Sequence, residues 1–583
     1  MIKTIILLVI PVVEDFSNIG LFTAFTSVFS ILIYPSFILI LLSFAFLLKG
    51  RPHNTYLLLL NLLISVLYII DLWNFRAFGD FSSLHMLGQT TNLDNLSDSV
   101  LSMVRIIDIV FLADFVLLVT WYVKKKFTLG TSRRSITCFA LTLIMPICYI
   151  GLVHYKFDIV ENGKNHVLFR ICWSPSQTIS NLSPIGYHVY DSYVYWKESV
   201  PYAISADEEK EIVKWFKDKK EDIPDNKFKG MFKGKNLIIL QVESLENFVL
   251  NKKVDNQEIT PNINRLLINS IYFSDVYEQV HNGTSSDAEF MVNTSVYPVR
   301  RGSTFFRFPK NTYNSLPNIL EAEGYSTLAI HPDKGAYWNW MEALKGIGFE
   351  RCIDSSAFEV DELIGLGLSD KSFLEQVIPI IRESGQPFYT FMITLTSHGP
   401  FNLPEEYREL KLEETLDKSK LGGYFQSINY TDKQIGKFIS TLEKIGLLED
   451  TVIVLYGDHE GIHKFYSKEV SELGFGSEVW TENNKRVPLI VYHSSINGEE
   501  IKTTGGQIDI LPTVSYLMGI NEEKYMDTAF GRNLLKTGKS FAVLNDRTFI
   551  GKDDAEKDHA VNGIDIADKV ISGDYFNKIM NSK

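Results

Sequence analysis

Cysteine is scarce, with four in 583 residues. Cys138 and Cys148 lie in an apolar stretch, and Cys172 and Cys352 are far apart, so no metal-binding cysteine spacing exists and Cys172–Cys352 is the one candidate disulfide. Positive charge is also short: 57 Lys and Arg against 70 Asp and Glu leave a formal net charge of −13. Phosphate-tracking proteins show a basic face, so no nucleic-acid partner is expected. Long apolar runs are missing from everything after about residue 155, although hydrophobic residues make up 45% of the chain.

They are concentrated in residues 1–153. Leu21–Leu48 is long enough to span a bilayer with some tilt, and Tyr56–Ile70, Ile106–Val123 and Ile136–Val153 are further candidates. Met1–Val13 reads as an abbreviated first span. Asp108 and Asp114 fall inside the Ile106–Val123 segment, so they should face protein or an interface rather than lipid. Lys49, Arg51 and His53 form one basic loop, and Lys124, Lys125, Lys126, Arg133 and Arg134 form another. The positive-inside rule makes both cytoplasmic, gives about five spans, and places everything after about Tyr155 outside. A cleaved signal peptide does not explain several separated spans. The outer loop Trp73–Arg105 carries the polar-aromatic turn Phe75–Phe81, suited to an interfacial belt.

Four regions are expected: a transmembrane domain over 1–155, a juxtamembrane linker over 156–232, an extracytoplasmic catalytic domain over 233–550 and a C-terminal tail over 551–583. The linker holds Tyr187, Tyr190, Tyr193, Tyr195 and Trp196, which suit a headgroup layer, then a charged helix-like run Asp207–Asp222. Ala203-Ile204-Ser205 before Ala206-Asp207 offers the small residues that signal peptidases accept.

From Asn236 the chain repeats strand, polar turn, helix. Asn236–Val242 ends at Glu243; Tyr325–Ile330 ends at His331-Pro332-Asp333; Phe388–Thr396 ends at Ser397-His398; Thr451–Tyr456 ends at Gly457-Asp458-His459; Val487–Tyr492 closes the series. Short β-rich apolar runs between helices predict a mostly parallel central sheet with helices on both faces. Ligands bind such sheets outside the carboxyl ends of strands, and four of these ends carry acids or histidines.

A hard divalent cation takes carboxylate and hydroxyl oxygens and accepts an imidazole. Glu243, Asp458 and His459 supply such a set, with a hydroxyl near residue 285 as a further ligand. That hydroxyl sits in His281-Asn282-Gly283-Thr284-Ser285-Ser286-Asp287-Ala288-Glu289-Phe290, a turn before a helix. Alone, the turn reads as an ordinary helix cap; beside a metal it reads as a nucleophile for phosphoryl transfer.

Gly283–Phe290, Val242-Glu243-Ser244, Gly457-Asp458-His459 and Gly506-Gln507-Ile508-Asp509-Ile510-Leu511-Pro512-Thr513 together resemble the lipoteichoic acid synthase family, membrane-anchored members of the alkaline phosphatase/sulfatase superfamily. The likeness runs from the multi-span N-terminus to about residue 550. It implies a multi-span helical membrane domain followed by an α/β alkaline phosphatase/sulfatase-like domain. It implies one Mn²⁺ (Mg²⁺ able to substitute) on Glu243, Ser285, Asp458 and His459, with Ser285 as the catalytic nucleophile. The family carries threonine at that place; an ungapped match puts Ser285 there, with Thr284 as runner-up. The substrate pocket it implies is His331, Asp333, Trp338 and His398. Trp340 stands where glycerol-phosphate polymerases carry a phosphate-gripping arginine, and indole makes no bidentate phosphate contact; Arg300, Arg301 and Lys334 are the candidates to compensate. Gln507 replaces a histidine of two-metal relatives. The segment around Ser285 lacks the proline and arginine of a sulfatase formylglycine motif.

The resemblance implies transfer of a glycerophosphoryl group from the membrane lipid donor phosphatidylglycerol to an envelope glycolipid, polymer or glycan, through a covalent intermediate on Ser285, at the outer face of a bacterial cell membrane. Phosphoethanolamine transfer and lipid phosphodiester hydrolysis are the alternatives on the same scaffold. A non-catalytic protein that binds envelope polymer is the alternative of a different class.

Overall fold

The computed structural model describes residues 1–14, 21–22, 28–78, 81–84, 103–124, 134–160, 168–169, 175–198, 200, 202–335, 337–473, 478–481, 484–551 and 554–580. The chain divides into two compact units, one from Met1–Leu84 with Val100–Val200 and one from Pro201–Lys583. Cys172, Lys125, Lys126, Arg133 and most of the expected outer loop lie outside the described residues. Cys352 carries a free thiol.

The first unit is helical: α1 (Ile2–Glu14), α2 (Val28–Ser43), α3 (Arg51–Phe78), α4 (Val110–Val123), α5 (Ile136–His154) and α6 (Pro175–Glu198). Among the described residues, three helical stretches are long and apolar enough to cross a membrane: Arg51–Arg76, Ile106–Val123 and Ile136–Val160. A shorter apolar helix covers Ile31–Leu47. Of the two aspartates of the second stretch, Asp108 is buried in protein and Asp114 is half-exposed but paired. Asp108 takes both arms of Arg76, at 2.9 Å each, and the Trp73 indole at 2.9 Å. Arg76 also reaches Glu14 at 2.9 Å. Asp114 pairs with Lys3 at 2.7 Å. Burying such charges is tolerable because each is paired and hydrogen-bonded.

The second unit is built on an eight-stranded sheet: β1 (Asn236–Val242), β2 (Ser270–Phe273), β3 (Ser326–Ile330), β4 (Arg351–Ile353), β5 (Phe388–Ile393), β6 (Thr451–Gly457), β7 (Leu489–Tyr492) and β8 (Glu499–Ile501). Their spatial order is β8-β2-β7-β6-β1-β5-β3-β4. The run β6-β1-β5-β3-β4 is parallel, whereas β7 is antiparallel to both β6 and β2. β1 shows why the central strands read as continuous apolar runs: Leu237 and Ile239 enter one hydrophobic core, Ile238, Leu240 and Val242 the other. Both faces are covered, so both alternating sets must be apolar.

The expected boundaries at 155, 232 and 550 give way to one near residue 200. The stretch taken as a linker is divided: α6 belongs to the first unit, and α7 (Ala206–Asp218) opens the second. Ser205 caps α7 through a reciprocal box with Glu208, and Ile212, Trp215 and Phe216 are buried in the catalytic unit. The helices that concern the site are α8 (Ser285–Thr294) and α9 (Ile462–Glu472). The segment expected as a tail is folded as α10 (Asp554–Ser572) and α11 (Tyr575–Met580), with Ile564, Ile566, Ala567, Val570, Ile571 and Phe576 in the same core as α7. The catalytic unit therefore continues past residue 550.

Candidate active site

The parallel register brings the carboxyl ends of β1 and β6 side by side, with Val242 opposite Gly457. The next residues are Glu243 and Asp458-His459. Ser244, at φ +57, turns the chain sharply so that its amide donates to Asp458 Oδ1 at 2.7 Å and its hydroxyl to Glu243 Oε1 at 2.8 Å. Gly457 lies against the Leu245 carbonyl; a Cβ there would come within 2.1 Å of that oxygen.

Ser285 opens α8, preceded by Thr284 at φ +44, a left-handed backbone that non-glycine residues hold only under constraint. The constraint is Asp287. One of its carboxylate oxygens accepts from the amides of His281 and Gly283, both at 2.9 Å, and a Cβ on Gly283 would collide with that carboxylate at 2.1 Å. Burial raises the Asp287 pKa to about 7. So fixed, Ser285 Oγ donates to Glu243 Oε2 at 3.1 Å and lies 3.3 Å from His459 Nε2. Thr284 is not placed there by any such contact. His459 Nδ1 donates to the Glu460 carbonyl at 2.7 Å, leaving Nε2 as the nitrogen that could coordinate a cation, and burial pulls its pKa down to about 4, so the ring is neutral.

Glu243, Asp458 and His459 offer ligand atoms all within 4.8 Å of one another. Two observations fit a divalent cation among them. Burial, and then Asp458, push the Glu243 carboxyl well above its usual pKa, the signature of two acids lacking a counter-charge. Asp458 Oδ2 is buried without a hydrogen-bond partner. The donor set, two carboxylates, a neutral imidazole and a hydroxyl, suits a hard or borderline ion. Gln507 is bound into the backbone: its amide donates to the carbonyls of Asp458 at 2.6 Å and Gly457 at 3.1 Å, fixing the turn that carries the ligands.

The expected pocket residues separate into two kinds. His398 sits beyond the end of β5; its Nδ1 donates to the Gly399 carbonyl at 2.6 Å, and burial lowers its pKa. Trp338 is at φ +50 and almost wholly buried. His331 is 1% exposed, with Nε2 3.1 Å from Glu289 of α8 and Nδ1 3.6 Å from Asp333. Burial opposes its charge, but Glu289 and Asp333 outweigh it and raise the pKa to about 9. Trp340 is fully buried too, stacked on His331 at 3.7 Å with its indole N–H on Asp333 Oδ1 at 3.0 Å. Arg300, a candidate substitute for the missing arginine, is tied to Asp565 and Asp568 of α10, and Lys334 is exposed.

Sequence reasoning missed Lys464, half-buried in the first turn of α9. Burial lowers its pKa, while its charge acts on Glu243, Asp458, His459 and His398 together. Its charge also acts on Glu278, the strongest of its acidic neighbours in effect. The only signal for Lys464 was its place five residues after His459, across the helix-starting Gly461.

A parallel sheet with a hydroxyl, two acids and an imidazole at its carboxyl edge defines the sulfatase class of metallo-enzymes, and a family model described as Sulfatase matches residues 235–520. A second, described as the lipoteichoic acid synthase N-terminal domain, matches residues 1–204. The chain belongs to the lipoteichoic acid synthase family. It is 30% identical to lipoteichoic acid synthase 1 of Bacillus subtilis over 512 residues, 85% of this chain and 77% of that protein. Lipoteichoic acid synthase 2 of the same organism is 29% identical over 496 residues, 84% and 75% of the two chains. The crystal structure of the lipoteichoic acid synthase LtaP from Listeria monocytogenes matches with a TM-score of 0.54 at 27% identity, covering 62% of this chain and 98% of that one.

Proposed function

We propose that this protein transfers a glycerophosphoryl group from phosphatidylglycerol to a hydroxyl of an envelope glycolipid, polymer or glycan. The observation that carries this is the Ser285 hydroxyl, held at the N-terminus of α8 within 3.3 Å of both Glu243 and His459. Glu243, Ser285, Asp458 and His459 hold one Mn²⁺, or Mg²⁺ in its place, which when bound lowers the hydroxyl pKa and neutralises charge on phosphoryl oxygens. Ser285 Oγ attacks phosphorus in line, the bond to the diacylglycerol oxygen breaks, and a phosphodiester forms on Ser285. Diacylglycerol leaves as the alcohol, taking one proton. In the second half, an acceptor hydroxyl attacks the same phosphorus and Ser285 is released.

Neutral His398, with Nδ1 committed to Gly399, has Nε2 to exchange the proton of the leaving or entering oxygen. His331, enclosed between two acids, takes a positioning role instead. Lys464 supplies the positive charge toward phosphate that Trp340 does not. Asp333 and Trp338 form the wall for the glycerol end. The apolar helices of the first unit hold the catalytic unit beside its lipid donor, on the outer face of the membrane.

Full-length protein with Mn²⁺ and labelled phosphatidylglycerol is expected to release diacylglycerol and to carry a glycerophosphoryl adduct on the peptide spanning residues 281–290, located by mass spectrometry. Release of diacylglycerol from phosphatidylethanolamine alone overturns the donor, in favour of phosphoethanolamine transfer; release with no acceptor product makes the protein a phosphodiesterase. An adduct on Thr284 moves the nucleophile by one residue.

A further inference from the structure

A second polar cavity lies inside the catalytic unit, away from the metal set. It is about 30 Å³, enclosed where α7, α10 and the segment 528–543 meet. Lys219, Arg532, Lys539 and His559 line it, with the carboxylates of Asp509 and Glu556. Donors outnumber acceptors. Arg532 is 7% exposed; its Nη2 serves Asp509 and the Phe541 carbonyl, but its Nη1 is buried with no partner. His559 Nε2 likewise has none. Lys219, 5% exposed, donates to the carbonyls of Ala529 and Gly531, which leaves a third N–H. Lys539 pairs with Glu556 at 2.8 Å. Lys219, Arg532 and Lys539 face Asp509 and Glu556, with Glu221 also acting on Lys219, and buried donors without acceptors are costly. Burial, with the charges of Arg532 and Lys539, brings the Lys219 pKa down to about 7 against the opposing pull of Asp509 and Glu221.

We propose that this cavity is a binding site for one small inorganic oxyanion, of the class of phosphate, held by Arg532, Lys219, Lys539 and His559. Its volume of about 30 Å³ suits about two waters or one tetrahedral oxyanion and is too small for a lipid headgroup or polymer end. The site has a path to the catalytic turn. The Arg532 amide donates to Asp509 Oδ1 at 2.6 Å, Asp509 Oδ2 accepts from the Gly506 amide at 2.9 Å, and the adjacent Gln507 holds the Asp458 carbonyl. An anion that fixes Arg532 therefore stiffens the turn that carries a metal ligand.

The test uses full-length Ser285→Ala protein in detergent, stripped of metal with EDTA so that the catalytic site does not compete. Inorganic phosphate at constant ionic strength is expected to raise Tm of the catalytic unit by about 2–4 °C. Lys539→Gln in that background should halve the rise or more, and Arg532→Lys should abolish it. No rise, or one of full size in Lys539→Gln, overturns the site. Should Arg532→Lys fail to fold, arsenate soaked into crystals decides: an anomalous peak between Arg532 and Lys219 supports the proposal, and water alone in the cavity overturns it.

Discussion

The two units bury ionisable groups in opposite ways. In the helical unit, Asp108 meets both arms of Arg76 and the Trp73 indole, so no lone pair goes begging. In the catalytic unit, Glu243 and Asp458 are as deeply buried, yet face each other with an unpartnered oxygen. Equal burial thus serves different ends. Satisfied charges hold helices together; unsatisfied ones store a demand that a cation and a phosphoryl group can meet.

Five measurements break or sharpen that contrast. The largest effect is expected from Ser285→Ala, which should lower transfer at least about 10³-fold without lowering Tm. Next is a pair of isosteric changes with opposite signs. Asp108→Asn should destabilise the helical unit by about 3–5 kcal/mol, since Arg76 loses its bidentate partner. Glu243→Gln should stabilise the metal-free catalytic unit by about 1–2 kcal/mol and abolish its Tm response to Mn²⁺. Denaturation of full-length protein in detergent, followed as two transitions, measures both; a destabilised Glu243→Gln protein would sink the contrast.

A third measurement concerns the ion pairs of His331 with Glu289 and Asp333. The His331 pKa is raised from 6.5 to about 9 in the fold. A raised folded value means that its ionic stabilisation is complete below pH 6.5 and lost as pH rises through about 9. Stability of the catalytic unit should therefore fall over that window by up to about 3 kcal/mol, and His331→Gln should flatten the slope. The smallest effect is that of Trp340→Phe, which keeps the stack but leaves Asp333 one donor short: about 1 kcal/mol in stability and a few-fold rise in KM. Beside it, Lys464→Gln should cut kcat/KM about 10–100-fold. A Lys464→Gln enzyme with unaltered kcat/KM would show that the phosphate meets its positive charge elsewhere.

Much of the site was legible because parallel strands advertise it. Glu243, His398 and Asp458-His459 each follow a continuous apolar run, and such runs end at one sheet edge by topology. Residue type does not report direction, however. His331 also follows a strand, but Glu289, more than forty positions earlier, turns it inward. β7 reads like its parallel neighbours, and its reversal is set by pairing with β2 and β6. The helices α10 and α11 escaped notice because they are mixed in polarity and gain their apolar side only against α7.

That last packing bears on how the protein is made. The Trp215 ring lies flat on His559 at 5.0 Å, and Lys569 and Lys578 reach Glu211 and Glu209. The first helix of the catalytic unit is thus covered from far along the chain, Trp215 and His559 lying 344 residues apart. Ile212, Trp215 and Phe216 gain that part of their cover only after the whole sheet has been synthesised. A chain cut at residue 550 would keep Phe530 against Trp215 and Phe216 but lose His559 from the first ring and Phe576 from the second.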